Sequence, residues 1–232
     1  MKKRFVFLAA ALAAMLLTGC ALRTVEEMYA LPKRSEEFRE LQAAIDTAMY
    51  GMTYSSPQSG ENQQTVQTAD LNGDGLDEYL VFAKGATEKP LQVLIFQQDE
   101  TGKCRVLDTI GFNGQAFDQV EYMAFDDQPG LELVVGIQVS ERVLRNVAVY
   151  SFHGGSAELL LLNSYSKMLP CQLSGDKSEL MVLRPGEEET QRGMAVLYGY
   201  DKGQIVRSVE TELSEHTSRI RRITTGRLQD GN

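Results

Sequence analysis

Asp70-Leu71-Asn72-Gly73-Asp74-Gly75-Leu76-Asp77-Glu78 runs without a break into the apolar stretch Tyr79-Leu80-Val81-Phe82. Side-chain oxygens stand at positions 1, 3 and 5 of this loop (Asp70, Asn72, Asp74), Gly75 at position 6 permits a sharp turn, and Glu78 puts a carboxylate at position 9. Oxygen donors at that spacing suit a hard cation, Ca²⁺ first among them, with the Leu76 carbonyl completing the set. An EF-hand would carry a bidentate Glu at position 12 and continue as a helix. Position 12 here is Val81, and the residues that follow Glu78 are strand-like. The loop therefore joins two strands, and the domain around it is expected to be all-β. The alternative reading of the loop is an Asx turn that keeps its shape without an ion.

Downstream, the same order of features recurs. Tyr79 to Ala83, Leu91 to Gln97 and Cys104 to Ile110 read as strands after the loop. Met123 to Phe125, an acidic turn at Asp126 to Gly130, Glu132 to Val135, Asn146 to Phe152, the turn His153-Gly154-Gly155 and Glu158 to Leu162 repeat that order. So do Cys171 to Leu173, a turn at Ser174 to Ser178, Glu179 to Leu183, Met194 to Tyr200, the turn Asp201-Lys202-Gly203 and Ile205 to Val209. Aligning Leu71, Phe125 and Leu173 gives spacings of 54 and 48 residues, and Glu78, Glu132 and Glu179 each open the strand after the turn. Self-similarity at this period, with four short strands per unit, is what propeller blades look like.

The loop and its repeats resemble FG-GAP or VCBS-type repeats, in which such a loop joins two strands of one blade of an integrin-like β-propeller. The resemblance implies a calcium-stabilised repeat domain over residues 65–232 forming a partial β-propeller, with repeats at about 66–115, 119–165 and 168–213 and the start of a fourth at about 220–232. Leu228-Gln-Asp-Gly-Asn232 repeats the approach to the first loop, and Leu228 follows Leu173 by 55 residues. Since closed propellers need roughly four blades or more, the natural product is expected to continue past Asn232. Only the first turn keeps all its oxygens. The second is shortened, and the third has Lys177 where the glycine should be, so neither is expected to hold calcium well.

The N-terminus is an address rather than a structural element. Lys2-Lys3-Arg4 precedes an apolar run, Phe5 to Leu17, too short to span a bilayer as a helix, which takes about 20 residues. Leu17-Thr18-Gly19-Cys20 follows, and this resembles the bacterial lipobox. That resemblance implies a signal peptide over 1–19, a lipid on Cys20 and an extracytoplasmic, lipid-anchored chain; an ordinary secretory signal is the alternative. Residues 20–34 read as a tether. Residues 35–51 read as one amphipathic helix, about Glu36 to Tyr50, in which Phe38, Leu41, Ile45 and Met49 form an apolar stripe, Ser35 caps the start and Gly51 ends it. The stripe is expected to pack on the β-domain, with partner docking as the alternative. Met52 to Gln64 reads as loop.

The chain has 232 residues, 43% of them apolar, and a formal charge of −9. Without Lys2, Lys3 and Arg4 the charge is −12, from 20 basic and 32 acidic residues, which argues against nucleic acid as a partner. Catalytic signatures are missing from the sequence: it has no phosphate-binding glycine loop, no nucleophile elbow and no Cys-x-x-Cys. His153 and His216 read as solvent-facing turn residues, and Cys104 and Cys171 as buried free thiols, a disulfide being the other option. Phe82, Phe96, Tyr150, Phe152, Tyr198 and Tyr200 follow strand alternation and read as core. The expected function is a membrane-anchored binding or scaffold module for an unidentified protein or carbohydrate. A polysaccharide- or peptide-acting enzyme on the same scaffold, or an accessory subunit of an envelope complex, are the alternatives.

Overall fold

A computed structural model describes residues 36–99, 101–140, 145–173, 177–186 and 191–224. The signal segment, Cys20, the tether, Ser35, the Ser174 to Asp176 part of the third turn and the Leu228 to Asn232 motif lie outside the described residues. Among the described residues the protein is all-β apart from one helix and a single 3₁₀ turn at Thr217–Arg219. Among the described residues, no helix is long and apolar enough to cross a membrane.

Helix α1 spans Glu36–Ala48. Gly51, with φ of +75°, ends the turn that follows it. Leu41, Ile45 and Met49 are buried against Val81, Ala83, Leu94 and Phe96, so most of the stripe packs on the β-domain as expected. Phe38 departs from that reading, being 44% exposed.

Three antiparallel sheets follow in chain order. The first joins β1 (Met52–Tyr54), β2 (Val66–Ala69), β3 (Glu78–Gly85), β4 (Leu91–Gln98) and β5 (Cys104–Phe112). β1 and β2 share one edge of β3, Met52 to Tyr54 facing Ala83 to Gly85 and Val66 to Ala69 facing Glu78 to Val81. The reading of Met52 to Gln64 as loop is therefore corrected. Three of those residues complete the edge that β2 is too short to cover, a pairing that no local periodicity signals. The second sheet runs β6 (Ala116–Met123), β7 (Glu132–Gln138), β8 (Arg145–Ser151), β9 (Glu158–Tyr165), and the third β10 (Lys167–Cys171), β11 (Glu179–Arg184), β12 (Met194–Asp201), β13 (Gln204–Glu212).

The sheets are stacked face to face. Leu80, Phe82, Val93 and Ile95 of the first meet Val120, Leu133, Val135 and Ile137 of the second, and Phe82 meets Phe117 edge-to-face with ring centroids 5.1 Å apart. The opposite face of the second sheet, through Val134, Val147 and Val149, meets Leu180, Val182, Val196 and Tyr198 of the third. β7 is apolar along almost its whole length because both of its faces are covered. Each fully buried aliphatic or aromatic side chain contributes about 1.5–3 kcal/mol of transfer free energy. Among the described residues the sheets do not close into a ring.

The sheets repeat one another in detail. The Leu71, Phe125 and Leu173 amides donate to the side chains of Glu78, Glu132 and Glu179, at 2.9, 2.9 and 3.0 Å. A register shift falls at Ile95/Phe96, Val149/Tyr150 and Leu197/Tyr198, again 54 and 48 residues apart. The bond from Leu131 N to Asp70 O (2.9 Å) between the first two sheets recurs between the next two as Ser178 N to Ala124 O (2.8 Å).

Candidate metal centre and ligand cleft

The Asp70 loop is built on two glycines. Gly73 and Gly75 have φ of +77° and +85°, and both of their amides donate to the Asp70 carboxylate, at 2.7 and 2.9 Å. The Asp74 amide donates to Asn72 Oδ1 at 2.8 Å, and the Leu76 amide to Asp74 Oδ1 at 2.8 Å. Asn72 Nδ2 donates to Asp74 Oδ2 at 3.1 Å and to Glu78 Oε1 at 2.6 Å. Three of the five sequence-predicted ligands, Asn72, Asp74 and Glu78, are thus joined through the Asn72 amide group, while the Asp70 carboxylate is held by the two glycine amides. Burial first, and then the Asp74 and Asp70 charges, push the Glu78 carboxyl above its usual range, a repulsion that a cation would relieve. The donor chemistry fits calcium, since every group offers oxygen. Binding requires the Asn72 amide to turn its oxygen inward, giving up its bond to the Asp74 amide.

A second cluster lies in the next repeat, where the sequence reading placed no site. Asp126 follows β6, Glu132 opens β7 and His153 begins the β8–β9 hairpin. Their ligand atoms lie within 4.8 Å of one another, an arrangement that no other group of three His, Cys, Asp or Glu side chains makes among the described residues. His153 Nε2 is 3.3 Å from Glu132 Oε1 and 3.4 Å from Asp126 Oδ2. His153 is therefore not the purely solvent-facing turn residue expected. The antiparallel register sets Leu133 against Tyr150, and the chain beyond Tyr150 folds back over the start of β7. The 54-residue spacing places Asp126 where Asn72 stands in the first repeat and His153 where Asp99 stands. That spacing was the one signal available, and it could not reveal that the hairpin and the loop meet. His216 instead accepts the Ser218 amide on Nδ1 at 3.2 Å and caps the 3₁₀ turn.

At the β6 and β10 edges a cleft of about 370 Å³ opens, lined by Asp118, Arg145, Tyr165, Lys167, Arg221 and Arg222 among others. The Tyr165 hydroxyl donates to Asp118, which also pairs with Arg145 Nε at 3.1 Å. Burial first, and the Asp118 charge second, push the Tyr165 phenol far up, so it remains a donor. Gly136 makes room for that phenol, because a Cβ there would lie 2.2 Å from its oxygen. Asp118 neutralises one guanidinium, leaving Lys167, Arg221 and Arg222 as cationic lining on an acidic protein. Cys104 is half-buried and Cys171 buried, both as free thiols, so the expectation of burial holds fully only for Cys171.

No protein-family model matches the chain, and no curated protein matches it. Among solved structures it is similar to a rhamnogalacturonan lyase of Bacillus licheniformis, at 14% identity and a TM-score of 0.41. The alignment takes in 69% of this chain and 35% of the lyase, so the chain spans about a third of that enzyme's length.

Proposed function

We propose that the protein is a lipid-anchored, extracytoplasmic binding module that takes an acidic ligand, protein or carbohydrate, in the cleft between β6 and β10. The observation that carries this reading is the cleft's charge. A chain with nine more acidic than basic residues gathers Lys167, Arg221 and Arg222 at one concave site, where they would be expected to scatter. Tyr165 adds a fixed hydroxyl beside them, and the Asp118–Arg145 pair holds the cleft wall in place. The membrane anchor rests on Leu17-Thr18-Gly19-Cys20 and on no structural observation. The three stacked sheets support their reading as blades of an open propeller arc, with α1 covering the first blade's outer face. Calcium in the Asp70 loop, held by Asp70, Asn72, Asp74, Glu78 and the Leu76 carbonyl, would act structurally by fixing the loop against the next sheet.

The test is retention of the soluble domain on an immobilised polyuronate, on an acidic peptide and on a neutral glucan. Binding to an acidic matrix is expected, weakening as salt rises. Lys167→Glu with Arg222→Glu should reduce it about tenfold or more, since each attraction lost at about 4–8 Å costs about 0.5–1 kcal/mol even at the dielectric of bulk water, and reversal doubles that. Equal retention on the neutral glucan, or no loss in the double variant, would overturn the assignment of the cleft.

A further inference from the structure

We infer that Asp126, Glu132 and His153 form a site for a divalent transition metal, with zinc as the best match, separate from the oxygen-only Asp70 loop. Three observations carry this. First, the donor set mixes one imidazole nitrogen with two carboxylates, and imidazole selects zinc-class ions over calcium or magnesium. Second, the spacing suits such an ion. Zinc bonds to nitrogen and carboxylate oxygen at about 2.0–2.2 Å, and in a tetrahedron the ligand–ligand edge is about 1.63 times the bond, or about 3.3–3.6 Å. The distances from Nε2 to the two carboxylate oxygens, 3.3 and 3.4 Å, have that length.

The third observation is independent of the cluster's composition. Glu132 is 1% exposed, its Oε2 accepts the Phe125 amide, and its Oε1 is buried without a hydrogen bond while facing His153. A buried carboxylate oxygen with no donor is costly to keep, and a cation at this point would satisfy it. One imidazole N–H cannot point along both carboxylate directions, whereas an ion between the three atoms bonds all of them. His153, with a side chain 29% exposed, leaves a path for the ion and a fourth position open to water. Bound there, the metal would tie the β8–β9 hairpin to the β6–β7 loop.

The experiment uses the soluble domain, stripped with EDTA and dialysed, with ZnCl₂ as the probe. Zinc at about a hundred times its dissociation constant should raise the melting temperature by about 5–10 °C for a chain of this size. His153→Gln changes a half-exposed hairpin residue and should fold as the wild type does while losing that rise. Asp74→Ala, in the other loop, should keep it. Co²⁺ should produce visible d–d absorption in the wild type and in Asp74→Ala, and not in His153→Gln. A wild type that zinc leaves unmoved, or a His153→Gln protein that zinc raises equally, would show that the three side chains hold no metal, and the inference would fall.

Discussion

Gly73 and Gly75 share a left-handed backbone in the same loop, but their surroundings differ. A Cβ on Gly75 meets nothing within 4 Å, while one on Gly73 would lie 2.4 Å from the Pro129 backbone in the next repeat's loop. Gly75→Ala should cost about 1–2 kcal/mol, the penalty of the left-handed conformation. Gly73→Ala should cost clearly more, because backbone on both sides has to move. Urea denaturation of the two variants measures the difference, and equal values would mean that the loops do not touch in solution. Glu132 offers a second test. Its carboxyl is held above its usual range, mainly by burial, so its contribution is fully present below about pH 4.5 and is lost as pH rises through the raised folded value. In EDTA, Glu132→Gln should therefore gain on the wild type as pH goes from 4 to 8. A gap that is constant with pH would show that Glu132 does not titrate in that window. The repeated glutamates were legible as residues that open strands. Their bonds to Leu71, Phe125 and Leu173 were not, because a side chain's partner across a turn depends on how the turn closes.

At the scale of elements, α1 separates two roles that its sequence allowed. A stripe of Leu41, Ile45 and Met49 fits equally well against a partner or against the molecule's own sheet. Here Val81, Ala83, Leu94 and Phe96 cover it. Ile45→Ala should then cost about 2–5 kcal/mol in the isolated protein. Tyr50→Ala, at a side chain 92% exposed, should change stability by less than about 0.5 kcal/mol. Thermal unfolding of both distinguishes the cases, since a stripe kept for a partner would leave the Ile45→Ala protein as stable as its parent. The helix itself was readable from its 3.6-residue period. The short β1 was not, because Met52–Tyr54 alternates with nothing long enough to register as a strand and exists only because β3 offers a free edge.

For the whole molecule, the stack of sheets explains the rhythm of burial along the chain. The middle sheet is covered on both faces and its strand β7 is apolar between its polar ends, Glu132 and Gln138, while β13 at the far edge is mostly exposed. Anchoring of this stack is tested through Cys20. The full chain expressed in a bacterium should fractionate with membranes and take up a fatty-acid label, and Cys20→Ser should lose both properties. Label on the variant, or none on the wild type, would remove the anchor from the proposal.

The sequence by itself determined the all-β class, the helix at Glu36–Ala48 and the row of oxygen-bearing side chains in the Asp70 loop, because these follow from local quantities: alternation of apolar residues, helical period, and the spacing of oxygens along a few residues. Only the tertiary structure decided that Asn72 closes the Asp70 loop with an N–H group, that Asp118, Tyr165 and Arg145 share one cleft wall, and that His153 stands over Asp126 and Glu132. Those groups are brought together by strand register and by sheets packing on one another. The 20 residues between Glu132 and His153 carry no local trace of a meeting that backbone pairing alone creates.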